Sequence, residues 1–268
     1  MKKYIHLSLF ALLFLGACKE EIDIEIPNAE PLLVVEGSVT TEPDSSFIRL
    51  TLTSNYYSQD PYPIVKNAEV SVNGIPFSYV DSLKHYIAPT GYVGVVNTIY
   101  TLNIKYDNKT YNAVSKLEPM FRIDSFFQTW KEAQEPFLPA GWGVSYAGYD
   151  ERTRVKYTWF ENGIYSNVIN ADSFDNNKIT FDNNFTPINE PYAFEIPFAR
   201  FETGQEYISI FRSVDKNMYD FINAFNNASP GIPGPFQTPP ANLPTNITNG
   251  AVGYFTAMEV KRYRYKFK

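Results

Sequence analysis

The chain has 268 residues, 44% of them hydrophobic and 19% charged, with 20 Tyr, 21 Phe, 3 Trp and a single Cys. Such a composition supplies enough apolar surface for a real core and excludes a disordered polymer and a disulfide-stapled mini-protein. A formal charge of −6 denies the chain the basic footprint that nucleic-acid binding requires.

Met1-Lys2-Lys3 is a short basic start, and the mostly apolar stretch from Tyr4 to Leu15 runs directly into Gly16-Ala17-Cys18. Twelve residues at ~1.5 Å each reach ~18 Å, short of a ~30 Å hydrocarbon core, so a cleaved secretory signal over residues 1–17 is expected. A small residue before the lone cysteine resembles the bacterial lipobox, which implies acylation of Cys18 and a hold on the membrane that several acyl chains make permanent. Losing Lys2 and Lys3 leaves 21 of the 23 basic residues against 29 acidic ones, a net −8. Lys19-Glu20-Glu21 resembles the export signal of Bacteroidota surface lipoproteins; it also reads as the charged start of a tether over residues 18–30.

From Pro31 to Glu118 the pattern is short strands with turns between them: Leu32 to Thr40, Phe47 to Thr53, Ala68 to Val72, Ile75 to Val80, Thr98 to Tyr106 and Thr110 to Lys116. Asn73-Gly74 and Asp107-Asn108 suit two-residue hairpin turns. The expected fold is mainly β, an immunoglobulin-like β-sandwich over residues 31–118 followed by a second β-rich domain over 119–268 with one short helix. Strands are predicted there at Met120 to Trp130, Arg154 to Phe160, Tyr192 to Phe201, Glu206 to Arg212 and Ala251 to Val260. Oxygen-bearing side chains between Asn170 and Asn184 lack the spacing of a calcium loop and read as turn chemistry. Asp215 caps a helix at about 215–228, with Met218, Phe221, Ile222 and Phe225 on one face. Residues 229–249 carry six prolines and read as a loop without regular structure. The last residues alternate Lys261, Tyr263, Tyr265 and Phe267 with Arg262, Arg264, Lys266 and Lys268, as a charged edge strand or an acidic-partner contact would.

The start Ile22-Asp23-Ile24 through Glu30-Pro31-Leu32-Leu33-Val34-Val35-Glu36-Gly37, then Asn67-Ala68-Glu69-Val70, and Pro239-Pro240-Ala241-Asn242-Leu243-Pro244-Thr245-Asn246-Ile247 with Gly250 and Gly253-Tyr254-Phe255 are similar in order and spacing to blocks of a Bacteroidota lipoprotein family. That family is catalogued as domain of unknown function 4249. The resemblance implies an outer-membrane lipoprotein encoded beside TonB-dependent receptors, with no enzymatic activity attached.

Chemistry is thin by count. His85 is the only histidine after the signal and reads as an exposed strand residue, Cys18 is consumed by lipid, and no phosphate-binding glycine motif is present, so no catalytic residue, metal site or cofactor is expected. A pair of carboxylates serving hydrolysis stays open among 29 acids. Trp130 and Trp159 sit in strand patterns that favour core packing, while Gly141-Trp142-Gly143 places Trp142 in a loop where core and contact readings are even. The candidate contact residues are therefore Trp142, Pro235, Phe236, Pro239 and Pro240. The expected function is that of a non-enzymatic, exterior-facing outer-membrane lipoprotein associated with a TonB-dependent barrel. A free-standing glycan- or peptide-binding lipoprotein is the alternative.

Overall fold

Side-chain alternation sets the first strands. In β1 (Leu33–Thr40) Leu33, Val35 and Val39 are buried, and in β2 (Phe47–Leu52) Ile48 and Leu50, because successive side chains point to opposite faces of a sheet. The computed structural model describes residues 30–54, 58, 60–136, 139–149, 156–164, 178–182, 190–195, 202–204, 206–228 and 243–267. Pro31–Lys268 forms one compact unit.

Asn73-Gly74 turns β3 (Glu69–Val72) into β4 (Ile75–Val80) with φ values of 49° and 78°, the positive pair that a type I′ hairpin requires. Asp107-Asn108, at 49° and 57°, does the same between β6 (Ile99–Tyr106) and β7 (Lys109–Lys116). The three-residue β5 (His85–Ile87) holds the histidine read as a strand residue, half-buried rather than exposed. The second half contains β8 (Arg122–Lys131), β9 (Gly141–Tyr149), β10 (Tyr157–Ile164), β11 (Lys178–Asp182), β12 (Pro191–Glu195) and β13 (Glu206–Val214). Helix α1 (Lys216–Ala228), β14 (Val252–Met258) and β15 (Val260–Lys266) follow.

Eight strands form the first sheet in the order β14-β1-β2-β5-β4-β3-β6-β7, with β14 parallel to β1. The sequence reading grouped residues 252–258 with the second half; the structure places them beside β1 instead. The reason is burial on both faces. Phe255 and Ala257 enter the core of the first sheet, while Tyr254 packs with Val214 and Met218 under the helix. The approach to β1 is close: Gly253 has a φ of 96°, and a Cβ there would lie 2.1 Å from the Val35 carbonyl oxygen.

The two end strands of this sheet meet. Glu118, just past β7, bridges to Met258, and the Ala257 N–H donates to Ser115 Oγ at 2.9 Å. Residues 245–248 lie along the seam. Asn246 Nδ2 donates to the Phe255 carbonyl at 2.7 Å and to the Val114 carbonyl at 3.4 Å, and its Oδ1 accepts the Phe255 N–H at 3.1 Å. Thr248 N–H donates to Asn112 O at 2.9 Å, and Asn112 N–H donates to Thr248 Oγ1 at 2.8 Å. The seam satisfies backbone groups that a bare sheet edge would leave open.

Two further sheets, β12-β9-β8 and β11-β10-β13-β15, pack face to face across Met120, Phe121, Val144, Tyr146, Phe160, Tyr192, Phe211 and Phe267. Tyr146 and Phe211 meet edge to face at 5.0 Å, as rings prefer. Asp215 caps α1 by accepting the Met218 N–H at 2.8 Å, and Met218, Phe221 and Ile222 pack against the Tyr254 cluster. Phe225 is 53% exposed, so the covered stripe ends one turn before the periodicity predicts. Hydrogen bonds join the halves: Ser115 Oγ to Asp215 Oδ2 at 2.6 Å, Met120 N–H to Glu259 Oε2 at 2.7 Å, and Val260 N–H to Thr41 Oγ1 at 3.1 Å. Beneath them Arg212 and Glu161 form an ion pair at 2.7 Å, removed from water, with the guanidinium 4.5 Å from the Trp159 ring centre.

Candidate functional site

β8 is an edge strand paired only with β9, and its register sets Trp130 opposite Trp142. From Ser125 onward, Phe126, Gln128 and Trp130 share the face turned toward β15, while Phe127, Thr129 and Lys131 share the other. β15 answers with Tyr263, Tyr265 and Phe267 on the facing side. The result is a ladder of rings. Phe126 lies 4.6 Å from Tyr263 and 6.0 Å from Tyr265, Tyr265 lies 5.4 Å from Phe267, and Phe267 stacks on Trp142 at 6.2 Å and 17°. Trp142 meets Trp130 at 5.6 Å and 82°, and Trp130, 48% exposed, is where the ladder reaches the surface.

The polar edges of both indoles are engaged. Trp130 Nε1–H donates to Glu132 Oε1 at 3.1 Å, and Trp142 Nε1–H donates to Thr203 Oγ1 at 3.0 Å. Gln128, between Phe126 and Trp130 on their face, reaches the Lys266 carbonyl with Nε2 at 3.5 Å. On the opposite face Phe127 is 50% exposed, and Lys131 pairs with Glu195 at 3.0 Å over Gly143, where a Cβ would lie 3.2 Å from both side chains. Burial raises the Tyr146 hydroxyl well above its ordinary pKa and raises that of Tyr263, so neither ring supplies a phenolate near neutral pH. The arrangement presents carbon surface with amide, carboxylate and hydroxyl groups beside it, which is the chemistry of binding.

The structure corrects two readings of the tryptophans. Gly141-Trp142-Gly143 opens a strand rather than a loop, and Trp142 is half-buried between Phe267 and Trp130. Trp130, read as core, is the exposed member of the pair because it occupies the last turn of pleat at the sheet edge. Gln128, Glu132 and Thr203 were not singled out by sequence; the alternation Phe126, Gln128, Trp130 was the available signal. Cys18, Lys19, Glu20, Glu21, Pro235, Phe236, Pro239 and Pro240 lie outside the described residues.

His85 is half-buried in β5 with its ring 5.1 Å from Phe47, and burial lowers its pKa from 6.5. The alternation expected of the C-terminus is present in β15, where the arginines of the outer side are held by acids: Arg262 forks onto Glu42 at 2.6 and 3.0 Å, and Arg264 pairs with Glu206. No three metal-ligating side chains converge among the described residues. No helix among them is long and apolar enough to cross a membrane.

A family model described as Domain of unknown function (DUF4249) matches residues 19–264. No curated protein matches the chain.

Proposed function

We propose, for a chain that belongs to the DUF4249 family, a non-enzymatic lipoprotein held through Cys18 on the exterior face of a Bacteroidota outer membrane as an accessory of a TonB-dependent barrel. The observation that carries this reading is the edge strand β8, which shows Phe127 and Trp130 to solvent on its two faces from a scaffold packed with rings. Exposed aromatic side chains on a supported frame are what protein contacts use, since two χ angles are all they must immobilise. In this layout the curled eight-stranded sheet, an immunoglobulin-like module in architecture, is the spacer, and the β8-to-β15 region with α1 is a second domain that makes the contact. The seam and the hydrogen bonds of Ser115 to Asp215, Met120 to Glu259 and Val260 to Thr41 support a rigid spacer that passes position from anchor to contact face.

A second reading, a free-standing glycan- or peptide-binding lipoprotein, is favoured by the polar company of Trp130, with Glu132 on its Nε1 and Gln128 on the same face. The two separate in a native pull-down of the tagged lipoprotein from detergent-solubilised outer membranes, beside a Cys18→Ala form kept soluble. A TonB-dependent barrel recovered in near-stoichiometric amount is the expected result. Recovery of the lipoprotein alone refutes the accessory role and leaves the second reading.

A further inference from the structure

We propose that the shelf at Trp130 is a subsite for one neutral sugar ring of an oligosaccharide. This rests on the reading of the protein as a surface binding module and names the ligand class at one place on it. Trp130 is held against Trp142, and Trp142 is in turn stacked on Phe267 and hydrogen-bonded to Thr203. Its indole is therefore positioned before any ligand arrives, which removes much of the ordering cost of binding. Because the Trp130 Nε1–H is spent on Glu132, what remains on offer is carbon and π surface.

A pyranose is the complement of such a surface. One face of it carries polarised C–H groups that sit on the negative face of an aromatic ring, and its hydroxyls project around the perimeter. The polar groups of the shelf fit that perimeter: the Gln128 amide on the same strand face donates and accepts, the Glu132 carboxylate on the Trp130 indole accepts, and the Thr203 hydroxyl on the Trp142 indole does either. Charge points the same way. The lysine next in sequence, Lys131, is on the other face of the strand, neutralised by Glu195, and Arg264 is engaged by Glu206. A phosphorylated or carboxylated ligand would be repelled by the Glu132 carboxylate beside the ring, and a neutral one would not.

The test uses the full mature chain made soluble by Cys18→Ala, titrated with neutral gluco-, manno- and galacto-oligosaccharides, a uronate oligosaccharide, and a peptide rich in proline and aromatic residues, read by tryptophan fluorescence and calorimetry. Saturable binding of at least one neutral oligosaccharide is expected. Trp130→Ala weakens it about tenfold or more, the loss of one stacked ring. Trp130→Phe keeps an aromatic face and retains part of the affinity, Gln128→Ala and Glu132→Ala weaken binding, and Thr129→Ala on the opposite face leaves it unchanged. Circular dichroism of each variant separates loss of contact from loss of fold. Absence of saturable binding across the neutral set, or binding indifferent to both Trp130 variants, overturns the proposal. Binding of the peptide alone, or of the uronate in preference, overturns the ligand class while leaving the binding-module reading. The barrel pull-down succeeds or fails independently of all these outcomes.

Discussion

Asn246 mimics a stretch of backbone at the seam where the first sheet closes, and replacing it with alanine tests whether that closure holds the fold. The substitution removes the donor to the Phe255 carbonyl at 2.7 Å, the acceptor for the Phe255 N–H at 3.1 Å and the longer bond to Val114 at 3.4 Å. Phe255 is fully buried, so its backbone groups gain little from water once the amide is gone. Two such groups at ~1–2 kcal/mol each put the loss at about 2–4 kcal/mol, a large share of the ~5–15 kcal/mol that stabilises a typical fold. For a unit of this size the midpoint of thermal unfolding falls by on the order of 10 °C. The assay is circular dichroism melting of the Cys18→Ala soluble form with and without Asn246→Ala, at one scan rate. A midpoint for Asn246→Ala within about 1 °C of its parent refutes the idea that the seam carries stability.

Two further outcomes follow from groups away from water. Glu161→Ala leaves the Arg212 guanidinium buried without its counter-charge, and the cost is about 3–5 kcal/mol, read as a drop in urea midpoint; the double change Glu161→Leu with Arg212→Met recovers most of it. His85 has its pKa lowered from 6.5 in the folded state by burial, so the unfolded chain binds the proton more readily. Its contribution to stability is present above pH 6.5 and is lost as pH falls through the lowered folded value. Melting temperatures compared at pH 7.5 and pH 5 are expected to fall further for the parent than for His85→Gln, and equal falls contradict the assignment.

Local rules carried the sequence reading a long way. The hairpins at Asn73-Gly74 and Asp107-Asn108, the alternation of β2 and β15, and the Asp215 cap are each decided by a few adjacent residues, and each is found in the structure. What failed were features decided across the chain. β9 contains Gly141 and Gly143, which read as loop, and Gly148, where a Cβ would lie 1.8 Å from the Arg122 carbonyl oxygen, so glycine is there because the neighbouring strand comes close beside its register shift. The pairing of β14 with β1 joins residues more than two hundred positions apart, and alternation within either strand says nothing of the partner. The ranking of the tryptophans failed for a related reason. A strand pattern says which face a ring is on, and only the packed sheets say that Trp130 is at the open end and Trp142 one step inside.

The parallel pairing of β1 with β14 also sets an order of events in synthesis. Strand β1 leaves the ribosome more than two hundred residues before the strand that covers one of its edges. Until Val252–Met258 emerges, Val34 to Thr40 lacks its neighbour and Leu33, Val35 and Val39 lack part of their cover. Such long-range closure slows folding. A ribosome that stalls before Val252 releases a chain with that edge open, ready to pair with its own kind or be degraded.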